Sequence, residues 1–497
     1  MAHQHNEIDF NQRFVFAAKA QSSLIYGIVA GIVAVALGCL LLANGIGVAE
    51  KHGDTKAAEK HTLAVAEQKA VEKAAHHDAT KPDEHKGEAV VHNAGAEHAA
   101  AAGHEVGHTA ADEGHVDGEH LKDGAASSHH EFHWYQRLWA NIWLNGVFFT
   151  GLSIVGLFFV AVNYVAEAGW SAGIKRVPEA FASFLPFSVG ALLLTFIFGG
   201  HSIFHWLSDE LYQEGNPAYD EILVGKQLYL NAPFFIARMV IFVGLWMFFN
   251  RLIRKNSVKE DVEGGTKWHF KNVGLSATFL VIFAVSSSML SWDWVMSIDT
   301  HWYSTLFGWY FFASWWVSGL STIAITTILL KEKGLLPNVS ENHIHDLGKF
   351  IFAFSIFWTY LWVAQYLLIY YANIPEEAIY FINRVHGLDH TYTGVFFVNL
   401  IINFIFPFLV LMTRDAKRTN VFLKVVGFGL LAGHWLDFYQ MVMPGTVGVN
   451  GGFGFVEFGM LAIFACGYVL VVSRSIASAP LIAKNHPMLE ESLHHEV

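Results

Sequence analysis

Charged residues and cysteines are scarce in this chain. Of its 497 residues, 15% are charged and 53% are hydrophobic, whereas soluble domains carry charge at roughly one residue in four. The two cysteines, Cys39 and Cys466, lie far apart in apolar runs, so neither a disulfide framework nor a thiolate metal site is indicated. The sequence also lacks a CxxCH motif, an iron–sulfur cysteine set and a nucleotide-binding glycine loop. We therefore expect no covalently bound cofactor and no metal ligands. The net charge of -12 argues against nucleic acid as a partner.

Long apolar runs dominate what is present. A helix needs about 20 apolar residues to cross a hydrocarbon core, and ten such runs follow one another along the chain. Runs of this length are too apolar for the alternating strands of a membrane barrel. The sequence predicts an all-α, multi-pass membrane protein with ten spans, centred on residues 24–43, 142–165, 180–204, 230–249, 273–292, 306–330, 350–371, 393–412, 421–439 and 455–472.

Lysine and arginine are distributed unevenly between the connections. They concentrate in both tails and after the even-numbered spans, while the short odd-numbered connections contain only Lys226 and Arg384. The positive-inside rule then places both termini in the cytoplasm. Alternatively, the first span could be a cleaved signal peptide, although its apolar run exceeds the usual 7 to 15 residues or so.

The composition divides the chain into five parts. Residues 1–48 hold the N-terminus and first span, and residues 49–133 form a polar, histidine-rich insert that we place on the outer side of the membrane. We interpret the insert as a solvated spacer, and copper or zinc binding is the alternative. Residues 134–293 and 294–441 are predicted to form two four-helix bundles, compatible with a repeat, and residues 442–497 hold the last span and a cytoplasmic tail. The first and last spans would be peripheral.

Ionisable groups inside the membrane are candidates for function, because a charge at the bilayer centre costs at least about 2.5 to 3.5 kcal/mol. His434 and Asp437 lie one helical turn apart, which favours a proton relay. The alternative is a neutral histidine bonded to a backbone carbonyl beside a capping aspartate. Arg238 requires a carboxylate partner if it is buried. The proton-path candidates are His434, Asp437, Asp293, Asp299, His301, Arg238, Glu457 and Glu167; Glu457 could instead be an acid favoured by the helix dipole.

A second group is predicted to lie on one face of the third span as it leaves the membrane. His201, His205 and Asp209 follow the i, i+4, i+8 spacing of a single helical face. The alternative is that these residues are interfacial and bonded to nearby loops.

Two stretches resemble a known family. They are SSSMLSWDWVMSIDTHWYSTLFGWYFF, residues 286–312, and QYLLIYYANIPEEAIYF, residues 365–381. Both are similar to the NrfD/polysulfide-reductase-like membrane subunits of alternative complex III, a bacterial quinol:cytochrome c oxidoreductase, and among these to the second such subunit. In helix pattern the resemblance extends over residues 134–473.

The resemblance implies a membrane subunit of a respiratory complex in the inner membrane of a bacterium, with the histidine-rich insert in the periplasm. The expected partners are a second NrfD-like subunit, an iron–sulfur subunit, c-type cytochromes and a terminal oxidase. Haems and iron–sulfur clusters would lie in those partners, and menaquinol would be the ligand of the membrane module, with His201, His205 and Asp209 as quinol-proximal candidates. No catalytic residue is assigned to this chain, whose expected contribution is proton conduction or scaffolding.

Two other functions remain open at this stage. A b-type cytochrome would use His201 and His434 as axial haem ligands, although cytochrome subunits usually show stacked histidine pairs. A stand-alone proton-coupled transporter would show helices interrupted near the middle of the membrane.

Overall fold

The described part of the chain is built from α-helices. The computed structural model describes residues 9, 11–47 and 132–496, and within them no β-strand forms. Ten of the described helices are long and apolar enough to cross a membrane, so the protein is an all-α polytopic membrane protein, as the sequence predicted. We number them α1 Ala18–Ala43, α2 Trp134–Val165, α3 Leu185–Ile203, α4 Ala232–Glu263, α5 Lys267–Trp294, α6 Phe307–Glu332, α7 Glu341–Ala372, α8 Thr393–Val410, α9 Asn420–Val447 and α10 Phe455–Ala477. The histidine-rich insert lies outside the described residues.

Successive membrane helices run in opposite directions, so their connections lie at two ends of the molecule. One end, which we call the terminal face, holds the start of α1, the end of α10 and the connections after α2, α4, α6 and α8. A short helix, Arg176–Phe181, lies there before α3. The other end, the loop face, holds the connections after α3, α5, α7 and α9. Two short helices lie there, Glu221–Lys226 and Pro375–Val385.

The helices pack as two four-helix bundles with a peripheral pair. In the first bundle α2 packs on α3 and α5, and α4 packs on α5; in the second, α6 packs on α7 and α9, and α8 packs on both of these. Contacts of α2 with α6 and α9 join the bundles. In α2, 89% of the most apolar window is buried, compared with 11% in α1. The helix α2 is therefore central, and α1, which packs mainly on α10, is peripheral.

The predicted single face of His201, His205 and Asp209 is wrong, because α3 ends at Ile203. Phe204 has extended backbone angles (φ -108°, ψ 103°), and 3₁₀ turns follow at His205–Leu207 and Asp209–Tyr212. Phe204 and Trp206 are both buried. Residues two apart point to different sides of a helix; here the chain leaves the helix, and both side chains lie in the packed interior.

Glycines bring α1 and α10 into close contact. A Cβ atom added to Gly31 would lie 2.8 Å from the carbonyl oxygen of Gly459, and one added to Gly38 would lie 2.8 Å from the backbone nitrogen of Val456. Small residues that let two backbones approach are a common basis of helix association in membranes. This packing fixes the peripheral pair.

The approach of α1 to α10 can be tested with a disulfide. A Cβ atom at Gly27 would lie 3.6 Å from the Cβ atom of Cys466, within the range of about 3.5 to 4.5 Å found in disulfides. We expect the Gly27→Cys variant to form a bond to Cys466 on mild oxidation, detected as two tryptic fragments that stay linked until reduced. The matched control is Gly27→Cys with Cys466→Ser, which should not link. A Gly27→Cys variant that remains unlinked under oxidation would contradict the packing.

Candidate functional site

A carboxylate, Asp437 of α9, is buried inside the second bundle with 1% of its surface exposed. It accepts hydrogen bonds from side chains of the other three helices of the bundle. The donors are the hydroxyls of Tyr310 and Ser314 on α6 (the latter at 2.7 Å), the indole N–H of Trp358 on α7 (3.1 Å) and the amide of Asn399 on α8 (2.9 Å). These donors replace the water that a carboxylate loses on burial. Asp437 therefore joins all four helices.

His434 is the partner of Asp437 among the described ion pairs. Its Nδ1 lies 3.9 Å from Oδ2 of Asp437. His434 is fully buried, and neither ring nitrogen has a hydrogen-bond partner. The separation is too long for a direct hydrogen bond. The pairing predicted from the sequence is present. The alternative of a capping aspartate is wrong, because α9 continues to Val447.

The helix α8 is distorted where it faces Asp437. Residues Ile401–Ile405 form a π-helical turn, a distortion that often occurs at functional sites. Asn403, within this turn, donates to the side-chain oxygen of Asn399 at 2.6 Å. Asn399, two residues before the turn, donates to Asp437. A Cβ atom on Gly433 would lie 2.2 Å from Oδ1 of Asn403. The amide chain therefore needs glycine on the facing helix.

A small cavity separates Asp437 from the loop face. Its volume is about 20 Å³, and a single water needs about 10 to 15 Å³ with two to four polar partners. Two glutamines supply unused polar atoms: Nε2 of Gln365 and both side-chain polar atoms of Gln440 have no partner within the described chain. The cavity lining includes Tyr310, Gln365, Tyr380, Arg384, Asp437 and Gln440. The cavity can hold one water between the buried carboxylate and Arg384.

Arg384, on the helix Pro375–Val385, closes the loop-face side of this cavity. It is 3% exposed and donates to Oδ2 of Asp299 at 2.9 Å; the Asp299 side chain is 24% exposed. Arg384 also donates to the carbonyl of Gln440 at 3.0 Å. Pro444 follows four residues later and has no N–H, so this carbonyl has no helical partner. The proline thus creates the acceptor that Arg384 uses.

The first bundle has a different arrangement around its buried acid. Arg238 donates twice to Asp293, at 2.6 and 2.9 Å, and the two residues are 3% and 1% exposed. The rings of Tyr229 and Phe234 lie 4.0 and 4.1 Å from the guanidinium carbon. The predicted carboxylate partner of Arg238 is confirmed. Asp293 is thus held by a cation, whereas Asp437 is held by neutral donors.

The loop-face candidates from the sequence do not form one cluster. Asp293 contacts Arg238 in the first bundle, and Asp299 contacts Arg384 beside the second. His301 instead pairs with Asp220 at 2.6 Å, and half of its side chain is exposed.

Glu457, in the first turn of α10, is fully buried and pairs with Arg137 of α2 at 2.7 and 2.9 Å. Asn141 donates to the same carboxylate at 2.9 Å, and the backbone N–H of Gly454 donates at 2.8 Å. The arrangement caps α10 and joins it to α2. Glu457 is therefore part of a structural clamp at the loop face.

The remaining candidates lie on the surface. His201, His205, Asp209 and Glu167 are all exposed. Glu167 follows α2 at the terminal face with a left-handed backbone (φ 48°). His201 lies in the last turn of α3 at the surface, whereas His434 is buried in the second bundle, so no contact in the described chain brings these two histidines together.

The terminal face contains a buried ionic network. Lys175 donates to Glu260 at 3.1 Å, and Arg176 pairs with Glu179 at 2.9 Å and with Asp261. All five residues are at most 6% exposed. The network joins the connection after α2 to the end of α4. Charge counting predicted cations at this face, but not their burial with acids.

The C-terminal tail packs against this network. Asn485 donates to the carbonyl of Asp261 at 2.9 Å, and His486 is 8% exposed. Burial, with the charge of Lys175 as the next cause, lowers the pKa of His486 to about 2. The ring is therefore neutral at physiological pH.

Sequence reasoning missed several residues of these sites. Arg137, Tyr310 and Asn399 gave no separate signal, because each lies in a run that reads as an ordinary apolar helix. Arg384 could have been found, since it is one of two cations in loops that otherwise lack them. A comparison with models of known protein families and with curated proteins found no match to the chain.

The Arg238–Asp293 pair gives a stability prediction. Removing one partner of a buried ion pair costs about 3 to 5 kcal/mol, while replacing both with apolar residues is often neutral. We expect Arg238→Met and Asp293→Leu each to lower the thermal midpoint of the purified protein strongly, and the double variant to recover most of the loss. The control is Lys424→Met, which breaks a partly exposed pair with Glu332 and should cost under about 1 kcal/mol. An Arg238→Met variant as stable as this control would contradict the assignment.

Proposed function

We propose that this chain is a membrane subunit of a respiratory quinol:cytochrome c oxidoreductase of the alternative complex III type, and that its second bundle conducts protons. The observation that carries the proposal is the polar path from Asp437 to the loop face. The path begins at the imidazole of His434, which has no hydrogen-bond partner, and continues to the carboxylate of Asp437, which neutral donors hold. A cavity for one water and the partly exposed acid Asp299 follow.

Each group on the path has a distinct part in moving a proton. His434 exchanges a proton with Asp437 when a small side-chain rotation closes the 3.9 Å gap between them, because a free imidazole binds and releases protons near neutral pH. The water in the cavity carries the proton from Asp437 toward Arg384. The arginine does not titrate; it holds Asp299 and orients the water by its fixed N–H groups. Asp299 exchanges the proton with solvent at the loop face, which we assign to the periplasmic side.

The two stretches that resemble the family meet at this path. Trp302 from the first stacks on Tyr380 from the second, with ring centroids 3.7 Å apart. Asp299 from the first pairs with Arg384, three residues after the second. The first stretch also contributes Tyr310, which donates to Asp437. The two stretches that carry the resemblance therefore contact each other beside the polar path. This contact supports applying the family function to this chain.

Electron transfer is assigned to partner subunits in this proposal. The iron–sulfur and haem centres would lie in an iron–sulfur subunit and c-type cytochromes, with menaquinol oxidised beside a second NrfD-like subunit and a terminal oxidase as acceptor. The chain itself would not be catalytic alone. The b-type cytochrome alternative draws no support from the geometry, because His201 is exposed and His434 is buried.

Asp437→Asn tests the path. The amide keeps the shape of the side chain but cannot carry a proton, so we expect proton release during quinol:cytochrome c turnover to fall at least about tenfold, as expected for loss of one transfer group. Tyr310→Phe, which removes one donor, should have a smaller effect. Proton release is measured with a pH dye in vesicles containing the intact complex.

The control for this experiment is Asp346→Asn. Asp346 is a buried acid near the start of α7, at the terminal face. It pairs with Lys349 at 2.6 Å and with His495 at 2.7 Å, and it lies outside the path. Its replacement should affect stability more than proton release. If Asp437→Asn and His434→Ala both release protons at the wild-type rate, the path is wrong.

The assignment to a complex is tested separately. The chain, purified from native membranes in a mild detergent, should bring with it multihaem cytochromes and an iron–sulfur protein, identified by mass spectrometry. The isolated chain should show no haem band in a reduced-minus-oxidised spectrum. A haem band in the isolated chain would support the b-type cytochrome, and a chain that purifies alone would support the transporter.

A further inference from the structure

Three metal-ligating side chains meet at the terminal face, outside the proton path. They are Glu260 in the last turn of α4, His269 in the first turn of α5 and His486 in the tail after α10. One ligand atom from each lies within 4.8 Å of the others. A tight turn joins α4 to α5 through Gly264 and Gly265, both with positive φ (68° and 72°). The turn brings the glutamate and the first histidine together, and the tail supplies the third group.

Two of these ligand atoms are buried without a partner. Glu260 is fully buried and His269 is 4% exposed, yet Oε1 of Glu260 and Nδ1 of His269 accept no hydrogen bond. The two atoms face each other at 4.0 Å. Leaving a buried polar atom unsatisfied costs about 1 to 3 kcal/mol, so a pair of them calls for an explanation.

We propose that Glu260, His269 and His486 bind a divalent transition-metal ion, with zinc as the reference ion. Two imidazoles and one carboxylate form a ligand set used for zinc and for iron(II). Magnesium and calcium prefer all-oxygen sites, and this site offers a single oxygen ligand. The inference is independent of the proposed function.

The geometry is close to that of a bound site. Zinc bonds of about 2.0 to 2.1 Å place neighbouring tetrahedral ligand atoms about 3.4 Å apart, so the side chains need to close by roughly 1 Å. A cavity of about 10 Å³ adjoins the two histidines, about the space of one water. That water would complete a four-coordinate ion.

Lys175 is the competing group, because its Nζ lies 3.1 Å from Oε2 of Glu260. It contacts the oxygen that does not face His269, and it also donates to the hydroxyl of Tyr164 at 2.8 Å. The ammonium and the ion can therefore use different oxygens of the same carboxylate. Their repulsion weakens binding, so Lys175 sets the affinity of the site.

Proteolysis of the tail offers a local measurement. Lys484 is exposed and lies two residues before His486, so trypsin can cleave there when the tail opens. With zinc at a hundredfold excess over its dissociation constant, the population of the open tail should fall roughly 100-fold, and cleavage should slow accordingly. Full-length protein in detergent is used, and a chelator buffer fixes the free zinc concentration so that the histidine-rich insert does not deplete it.

The variants separate a metal site from a purely ionic network. We expect His269→Ala and the isosteric Glu260→Gln to lose the zinc dependence of cleavage, each compared with its own rate without zinc. Lys175→Met should shift protection to lower zinc concentrations. The matched control is His345→Ala, which removes a histidine of the same face that is 6% exposed and also has an unpartnered Nδ1; it should keep the wild-type response.

Three outcomes would overturn the proposal. The first is cleavage of the wild-type protein at Lys484 that does not depend on zinc. The second is protection that persists in both His269→Ala and Glu260→Gln. The third is equal protection by magnesium at the same free concentration, which would exclude the transition-metal class.

Discussion

The burial of charged side chains among apolar membrane helices is the constraint on which this structure depends. Three buried arginines are paired with acids from other segments of the chain: Arg238 with Asp293, Arg137 with Glu457, and Arg384 with Asp299. The cost of removing a charge from water exceeds several kcal/mol unless a partner is in place. These partners therefore determine which helices are neighbours more strictly than the apolar surfaces do. An apolar side chain is solvated equally well by another helix or by lipid tails, so it does not select its neighbour.

The two bundles bind their buried acids in different ways. A carboxylate bound twice by arginine, as at Asp293, is locked in one geometry. A carboxylate surrounded by a phenol, an alcohol, an indole and an amide, as at Asp437, is equally well bonded but has no fixed opposite charge beside it. The imidazole of His434, which has no hydrogen-bond partner, lies 3.9 Å from it. The proton transfer that we propose between Asp437 and His434 therefore breaks no ion pair.

The sequence predicted the ten spans, because length and hydropathy act locally. Of its proton-path candidates, Arg238, Asp293, His434, Asp437 and Glu457 are buried, whereas Glu167 and His301 are exposed. The sequence predicted that Arg238 needs an acid, and it paired His434 with Asp437, because helical spacing is a short-range property. It could not assign Arg384 to Asp299, 85 residues apart, or Tyr310 to Asp437, because such pairs depend on how helices from distant parts of the chain pack. The predicted helical face of His201, His205 and Asp209 was wrong, because tertiary packing overrides helical periodicity there. The helix α3 ends before Phe204, and Phe204 and Trp206 are both buried.

The contact between α1 and α10 has a consequence for biogenesis. The glycines of α1 approach the backbone of α10 so closely that no other described helix offers α1 a comparable surface. Ribosomes synthesise α1 before α10, with more than 400 residues between Ala43 and Phe455. The surface of α1 that packs on α10 therefore faces lipid until α10 is inserted. Insertion of α10 is the step that fixes the position of α1.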